Sequence, residues 1–100
     1  MTIDPVCDFC SSPDVRWRYP ARDFVISVIE GAGSEGGWAA CPACHALIER
    51  GLRDKLTERS ARRFARRYGV AVKACKPQLR QLHDQFWANR EGPPVPQETP

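Results

Sequence analysis

The chain has little histidine and no long apolar run. Its two histidines, His45 and His83, are too few and too far apart in sequence to form the clusters with which hydrolases activate water or hold a catalytic metal. Neither a glycine-rich phosphate loop nor a nucleophile elbow occurs, so the expectation is a protein without catalytic activity or a small-molecule substrate. The longest nearly apolar stretch, residues 23–29, falls well short of the roughly 20 residues that cross a bilayer, which excludes a membrane span. Residues 1–5 carry neither a basic segment nor an apolar core, so no secretory leader is expected and the protein is placed in the cytoplasm.

The chain is not globally polybasic either. A net charge of +3 over 100 residues hides a segmental asymmetry: residues 1–49 count −4, residues 50–80 count +9 and residues 81–100 count −2. The positive charge belongs to one segment. Composition is otherwise ordinary, at 42% hydrophobic and 27% charged, so one domain should fold, with a modest core that a metal would staple.

Five cysteines are present, and four of them form two pairs, Cys7-x-x-Cys10 and Cys41-x-x-Cys44. In a reducing compartment paired cysteines more often hold metal than form disulfides. Each pair can present two thiolates to one corner of a tetrahedral ion, and two such pairs complete a zinc site. A redox dithiol, coincidental burial as packing residues and an iron–sulfur cluster are the competing readings of these residues, and the short knuckles favour zinc. Four protein ligands close the coordination sphere, so the single zinc ion is read as structural. Cys75 lacks a partner at ligand spacing and reads as a core residue; His45 and His83 read as helix-surface residues.

Local patterning places these cysteines. Residues 5–14 are rich in turn formers and make a knuckle. Val15, Trp17 and Tyr19 alternate with Arg16 and Arg18 as a half-buried strand does, and Pro20 interrupts it. Residues 23–29 are expected as a second strand, followed by a glycine-rich turn at 31–37 and a returning partner near residues 38–40. Pro42 suits the first position of a helix running through residues 45–50, which Gly51 ends. That start places Cys41 and Cys44 where free amides and the positive dipole end favour thiolates.

A second helix is predicted over 52–68 with Gly69 as its cap. Leu52, Leu56, Phe64 and Tyr68 fall on the arc expected to pack. Lys55, Arg59, Arg62 and Arg66 crowd the opposite side, flanked by Arg63 and Arg67. Val72, Cys75, Leu79, Leu82 and Phe86 form another seam. Because proline disfavours helical geometry at the residue before it, that helix is expected to start near Pro77 and end near Asn89, with residues 70–76 left open. The four prolines after Gly92 suggest a loose tail at 92–100, outside a single domain of residues 1–91 with a zinc-finger half at 5–50 and a helical half at 52–90.

The sum is an α+β fold: an N-terminal knuckle and β-hairpin with a four-cysteine zinc site, followed by two or three C-terminal helices. The order of CDFC at 7–10, a hairpin, and CPAC at 41–44 opening into HALIER resembles the treble-clef zinc fingers, relatives of the zinc ribbons, although Ser11 stands where many of them have glycine. The words CDFC, WRYPARDF and GGWAAC also resemble small uncharacterised actinobacterial zinc-binding proteins. The treble-clef resemblance covers residues 5–50. Its His-Asn-His nuclease members need a set of histidines that activate water and hold a catalytic metal, and this chain has His45 and His83 alone.

The cationic side of the second helix, Lys55, Arg59, Arg62, Arg63, Arg66 and Arg67, is the candidate surface for nucleic acid, with DNA expected before RNA. From Lys55 to Arg66 it spans about 16 Å, enough to track phosphates. The competing reading is a protein adaptor that meets an acidic partner. A plain solvated face is the bland one, and a Glu58–Arg62 pair across one helical turn speaks for it.

Overall fold

In the computed structural model, which describes residues 6–25, 33–34 and 37–97, the chain is α+β, with a three-stranded antiparallel sheet, a short separate ladder and three helices. Strand β1 (Trp17–Tyr19) lies at the centre of the sheet between β4 (Trp38–Ala40) and β5 (Val95–Pro96). The alternation seen in the sequence is a real two-faced strand, with Val15 and Tyr19 buried and Arg16 and Arg18 exposed.

The pairing differs from expectation. Residues 38–40 return to β1, with Tyr19 opposite Trp38 and Trp17 opposite Ala40. Strand β2 (Phe24–Val25) pairs instead with β3 (Gly33–Ser34). The two ladders are nested within one long hairpin, because Pro20 cannot donate to a ladder and breaks it in two. The expected continuation of the second strand through residues 26–29, and residues 31–32 and 35–36 of the expected turn, lie outside the described residues. Gly37 makes the close return possible. Its φ is +84°, and a Cβ there would stand 2.6 Å from the Tyr19 carbonyl oxygen.

Helix α1 (Pro42–Glu49) starts at Cys41 and ends at Gly51, whose φ of +69° suits glycine. Helix α2 (Arg53–Tyr68) ends on Gly69 in the left-handed conformation, as predicted. Helix α3 (Val72–Asn89) starts five residues earlier than Pro77, which sits inside it. Proline there removes one backbone hydrogen bond in the second turn. Tertiary contacts hold the first turns to α2 all the same: the Cys75 thiol donates to the Ala61 carbonyl at 3.7 Å, and Lys76 pairs with Glu58 at 2.6 Å.

The face of α2 that packs on α3 consists of Leu56, Thr57, Ser60 and Ala61. Phe64 and Tyr68 were expected to pack there too, but they are 39% and 59% exposed. They share the angular face of Leu56 yet sit about two and three turns further along, beyond the end of the core. His83, expected on a surface, is buried against α2, with Nδ1 3.3 Å from the Thr57 hydroxyl and Nε2 3.5 Å from that of Ser60. Burial depresses its pKa to about 4, so it is neutral at physiological pH.

The core is aromatic. Phe86 is fully buried among Phe9, Tyr19, Trp38 and Trp87, with ring centroids 5.0 to 5.7 Å away. Past α3 the chain stays attached through Gln97. Arg22 N–H donates to Asn89 O, Glu91 N–H to Pro20 O, and Gln97 N–H to Arg16 O. The loose tail expected from Gly92 is therefore a third strand over part of its length, and residues 98–100 lie outside the described set.

Candidate metal centre and cationic face

Two short turns are brought together by one strand. In the first, Ser11 N–H donates to Cys7 O and Cys7 N–H to Ser12 O, both at 2.8 Å, closing a knuckle around Cys7 and Cys10. Ser11 takes φ +67°, the left-handed geometry that glycine supplies at low strain. Asp8 then bridges to β4: its N–H donates to Ala39 O at 2.9 Å, and its carboxylate accepts Ala39 N–H at 2.7 Å. Ala39 lies two residues before Cys41. The pair Asp8–Ala39 thus sets the first knuckle against the second.

Phe9, between the two cysteines of the first knuckle, is buried against Trp38 and Phe86 and anchors the turn to α3. The second knuckle is a helix start. Cys41 caps α1, accepting the Cys44 N–H on its sulfur at 3.5 Å, while Pro42 occupies the first turn.

These turns place Cys7, Cys10, Cys41 and Cys44 in one buried cluster, with ligand sulfurs all within 4.8 Å of one another. A tetrahedron with Zn–S bonds of about 2.3 Å has edges near 3.8 Å. The Cys10 and Cys41 sulfurs are 3.5 Å apart, and all five cysteines are free thiols. Four buried cysteines are therefore arranged to hold one metal ion, and their donor set and spacing fit a single structural Zn2+.

Electrostatics point the same way. Hydrogen bonds from the Cys44 and Cys7 thiols hold Cys10 well below the usual thiol range, and the reciprocal bond to Cys10 pushes Cys7 up to about 12. Cys44 is raised by the same contact with Cys10. A divalent cation is what would allow all four to ionise.

The histidines are not competitors for this site. His45 Nδ1 is 2.7 Å from the Tyr19 hydroxyl, and its ring stacks on Trp17 at 4.0 Å and 8°. The Tyr19 hydroxyl donates its proton to Glu49 at 3.0 Å and so accepts from His45, and Arg90 approaches Glu49 to 3.5 Å. His45 is thus a packed junction between β1 and α1 rather than a plain surface residue. Among the described residues no other group of histidine, cysteine or acidic side chains is placed to hold a metal.

The six basic residues singled out on α2 divide into two sets. Arg59 turns inward, with its guanidinium 3.8 Å from the Cys10 sulfur and 3.9 Å from that of Cys41. Burial works against its charge, but the Cys44 and Cys41 sulfurs more than reverse this and hold the guanidinium above its ordinary range. Arg63 Nε donates to the Cys10 carbonyl at 3.2 Å. These two residues tie α2 to the first knuckle. Lys55, Arg62, Arg66 and Arg67 are exposed, and so is Arg63 despite that bond.

Glu58 interrupts the exposed set and bonds Arg62 at 3.1 Å and Lys76 at 2.6 Å. Lys76 first, and Arg62 with it, hold its carboxyl below the usual range. Neither Asp8 nor the part Arg59 plays beside the cysteines carried a sequence signal, because each acts through partners 18 to 49 residues away. The aromatics considered for base stacking, Trp17, Tyr19, Trp38 and Trp87, are buried or half-buried in packing roles. Among the described residues no helix is long and apolar enough to cross a membrane. Comparison of the chain with family models, with curated proteins and with solved structures finds no match.

Proposed function

We propose that this is a non-catalytic zinc-finger protein of treble-clef type that binds nucleic acid, DNA before RNA, through the exposed cationic side of α2, in the manner of a transcriptional regulator. The metal chemistry supports the non-catalytic part. Four thiolates leave no coordination position for an activated water or a substrate oxygen. The order of knuckle, nested hairpin and cysteine-capped helix supports the treble-clef part.

The observation that carries the binding reading is the division of labour on α2. Arg59 and Arg63 fasten the helix to the metal knuckle, while Lys55, Arg62 and Arg66 stand exposed along the same side. A cationic row held on a rigid base loses little entropy on meeting a row of phosphates. The alternative is an adaptor that uses the same row to meet an acidic protein.

The salt dependence of binding separates them. For nucleic acid, log K should fall linearly with log salt, by about 0.7 to 0.9 per phosphate contact. Replacing Arg62 and Arg66 together by alanine should flatten that slope by about 1.5 to 2. Absence of DNA and RNA binding in low salt would overturn the reading in favour of the adaptor.

A further inference from the structure

The helix face that the core does not cover carries two aromatic rings. Phe64 and Tyr68 lie 39% and 59% exposed at the end of α2, their ring centroids 4.5 Å apart. The protein buries Phe9, Tyr19, Trp38 and Phe86 almost completely, so this exposure is a local property. Around the two rings stand Arg63, Arg66 and Arg67, the Arg67 guanidinium 5.7 Å from the centre of the Tyr68 ring. Together with Ser11 of the first knuckle they line a groove of about 380 Å³ floored by Leu79 and Leu82.

We propose that this groove takes unpaired bases, so that the protein's ligand is single-stranded nucleic acid, with Phe64 and Tyr68 as the stacking platform and Lys55, Arg62 and Arg66 as the phosphate track. This rests on the nucleic-acid reading above and narrows it. In a duplex the faces of the bases are covered by their neighbours, and a groove-reading helix offers polar side chains to base edges. Aromatic rings add affinity only where bases are free to stack on them.

Charge complementarity favours a polyanion over an uncharged apolar segment, because Arg63, Arg66 and Arg67 line the groove beside the rings. The carboxylates of an acidic peptide would satisfy the arginines but offer no ring to stack on Phe64 and Tyr68, whereas every nucleotide brings both a phosphate and a base. The negative dipole end of α2 opposes phosphate at its last turn, and Arg66 and Arg67 in that turn offset it. The groove's acidic residue, Asp8, has its carboxylate engaged by Ala39 N–H.

The test uses the zinc-loaded full chain and fluorescence anisotropy at about 50 mM salt, with a labelled oligothymidylate of about 12 nucleotides and a duplex of equal length. The single strand should bind about tenfold or more tighter than the duplex. Phe64→Leu and Tyr68→Leu should each weaken it about 5- to 100-fold, whereas Tyr68→Phe stays within about twofold. Both positions are exposed, so the leucine variants should keep their zinc and their melting temperature, which are checked in parallel.

Duplex binding as tight as single-strand binding, with the leucine variants unaffected, overturns the single-strand assignment. It leaves the nucleic-acid reading standing if the Arg62/Arg66 salt slope still responds. Absence of binding to either oligonucleotide overturns both. Polyglutamate competing as well as unlabelled oligothymidylate overturns both in favour of an acidic protein partner.

Discussion

Replacing Arg59 by alanine is expected to weaken zinc binding about 10- to 100-fold while leaving the holo fold in place. A Zn2+ ion with four thiolates carries a net charge of −2, and the guanidinium stands 3.8 and 3.9 Å from two of the sulfurs. A unit charge pair at about 4 Å attracts by about 4 kcal/mol at an effective dielectric near 20. Part of this is lost to solvent, because Arg59 is only half-buried and water screens the pair. The remainder, about 1–3 kcal/mol, matches the expected change in affinity at about 1.4 kcal/mol per tenfold.

The assay is competition of the zinc-loaded protein against a chromophoric chelator. Arg59→Lys should retain part of the effect, since an ammonium keeps the charge, although on a shorter side chain than the one whose Nη2 reaches both sulfurs. Arg62→Ala, which removes a charge that touches no sulfur, is the control. An apparent Kd for Arg59→Ala within about twofold of the parent would refute the argument. So would an equal loss in Arg62→Ala, which would reduce the effect to general charge.

Removing the metal should unfold more than the knuckles. Cys41 both ligates and caps α1, and Asp8 links the first knuckle to β4, so Cys41→Ser or chelator treatment should abolish one cooperative melt of hairpin and helices. An unchanged calorimetric transition in the variant would count against a structural metal. Stability should also depend on pH through His83. Its folded pKa, about 4, lies below the unfolded value of about 6.5. Between these values the unfolded chain binds the extra proton, so stability rises with pH across the window and is lost as pH falls. About 2 kcal/mol should be gone by pH 5, and His83→Gln should remove that component. Equal losses between pH 7 and 5 in parent and variant, by denaturant titration, would sink this reading.

What local sequence could express was legible. The two Cys-x-x-Cys pairs, the alternation of Val15 to Tyr19, the proline at the start of α1 and the glycine after α2 are all short-range signals, and the structure has the elements they imply. The left-handed Ser11 shows the knuckle turn accepting a residue other than glycine at some strain. The remainder required the third dimension. Periodicity gave the side of α2 on which Phe64 and Tyr68 lie, but only the packing of α3 decides how far along that side the core extends. Charge periodicity likewise grouped Arg59 and Arg63 with the exposed stripe, and only the fold brought the first knuckle beside them. His83 reads as one polar residue on a seam until Thr57 and Ser60 face it from another helix. The cysteine spacing alone therefore determined that a metal site exists. Which arginines serve that site, and which are left for a partner, was decided by tertiary contacts, because a side chain's partner across the fold leaves no periodic trace in the chain that carries it.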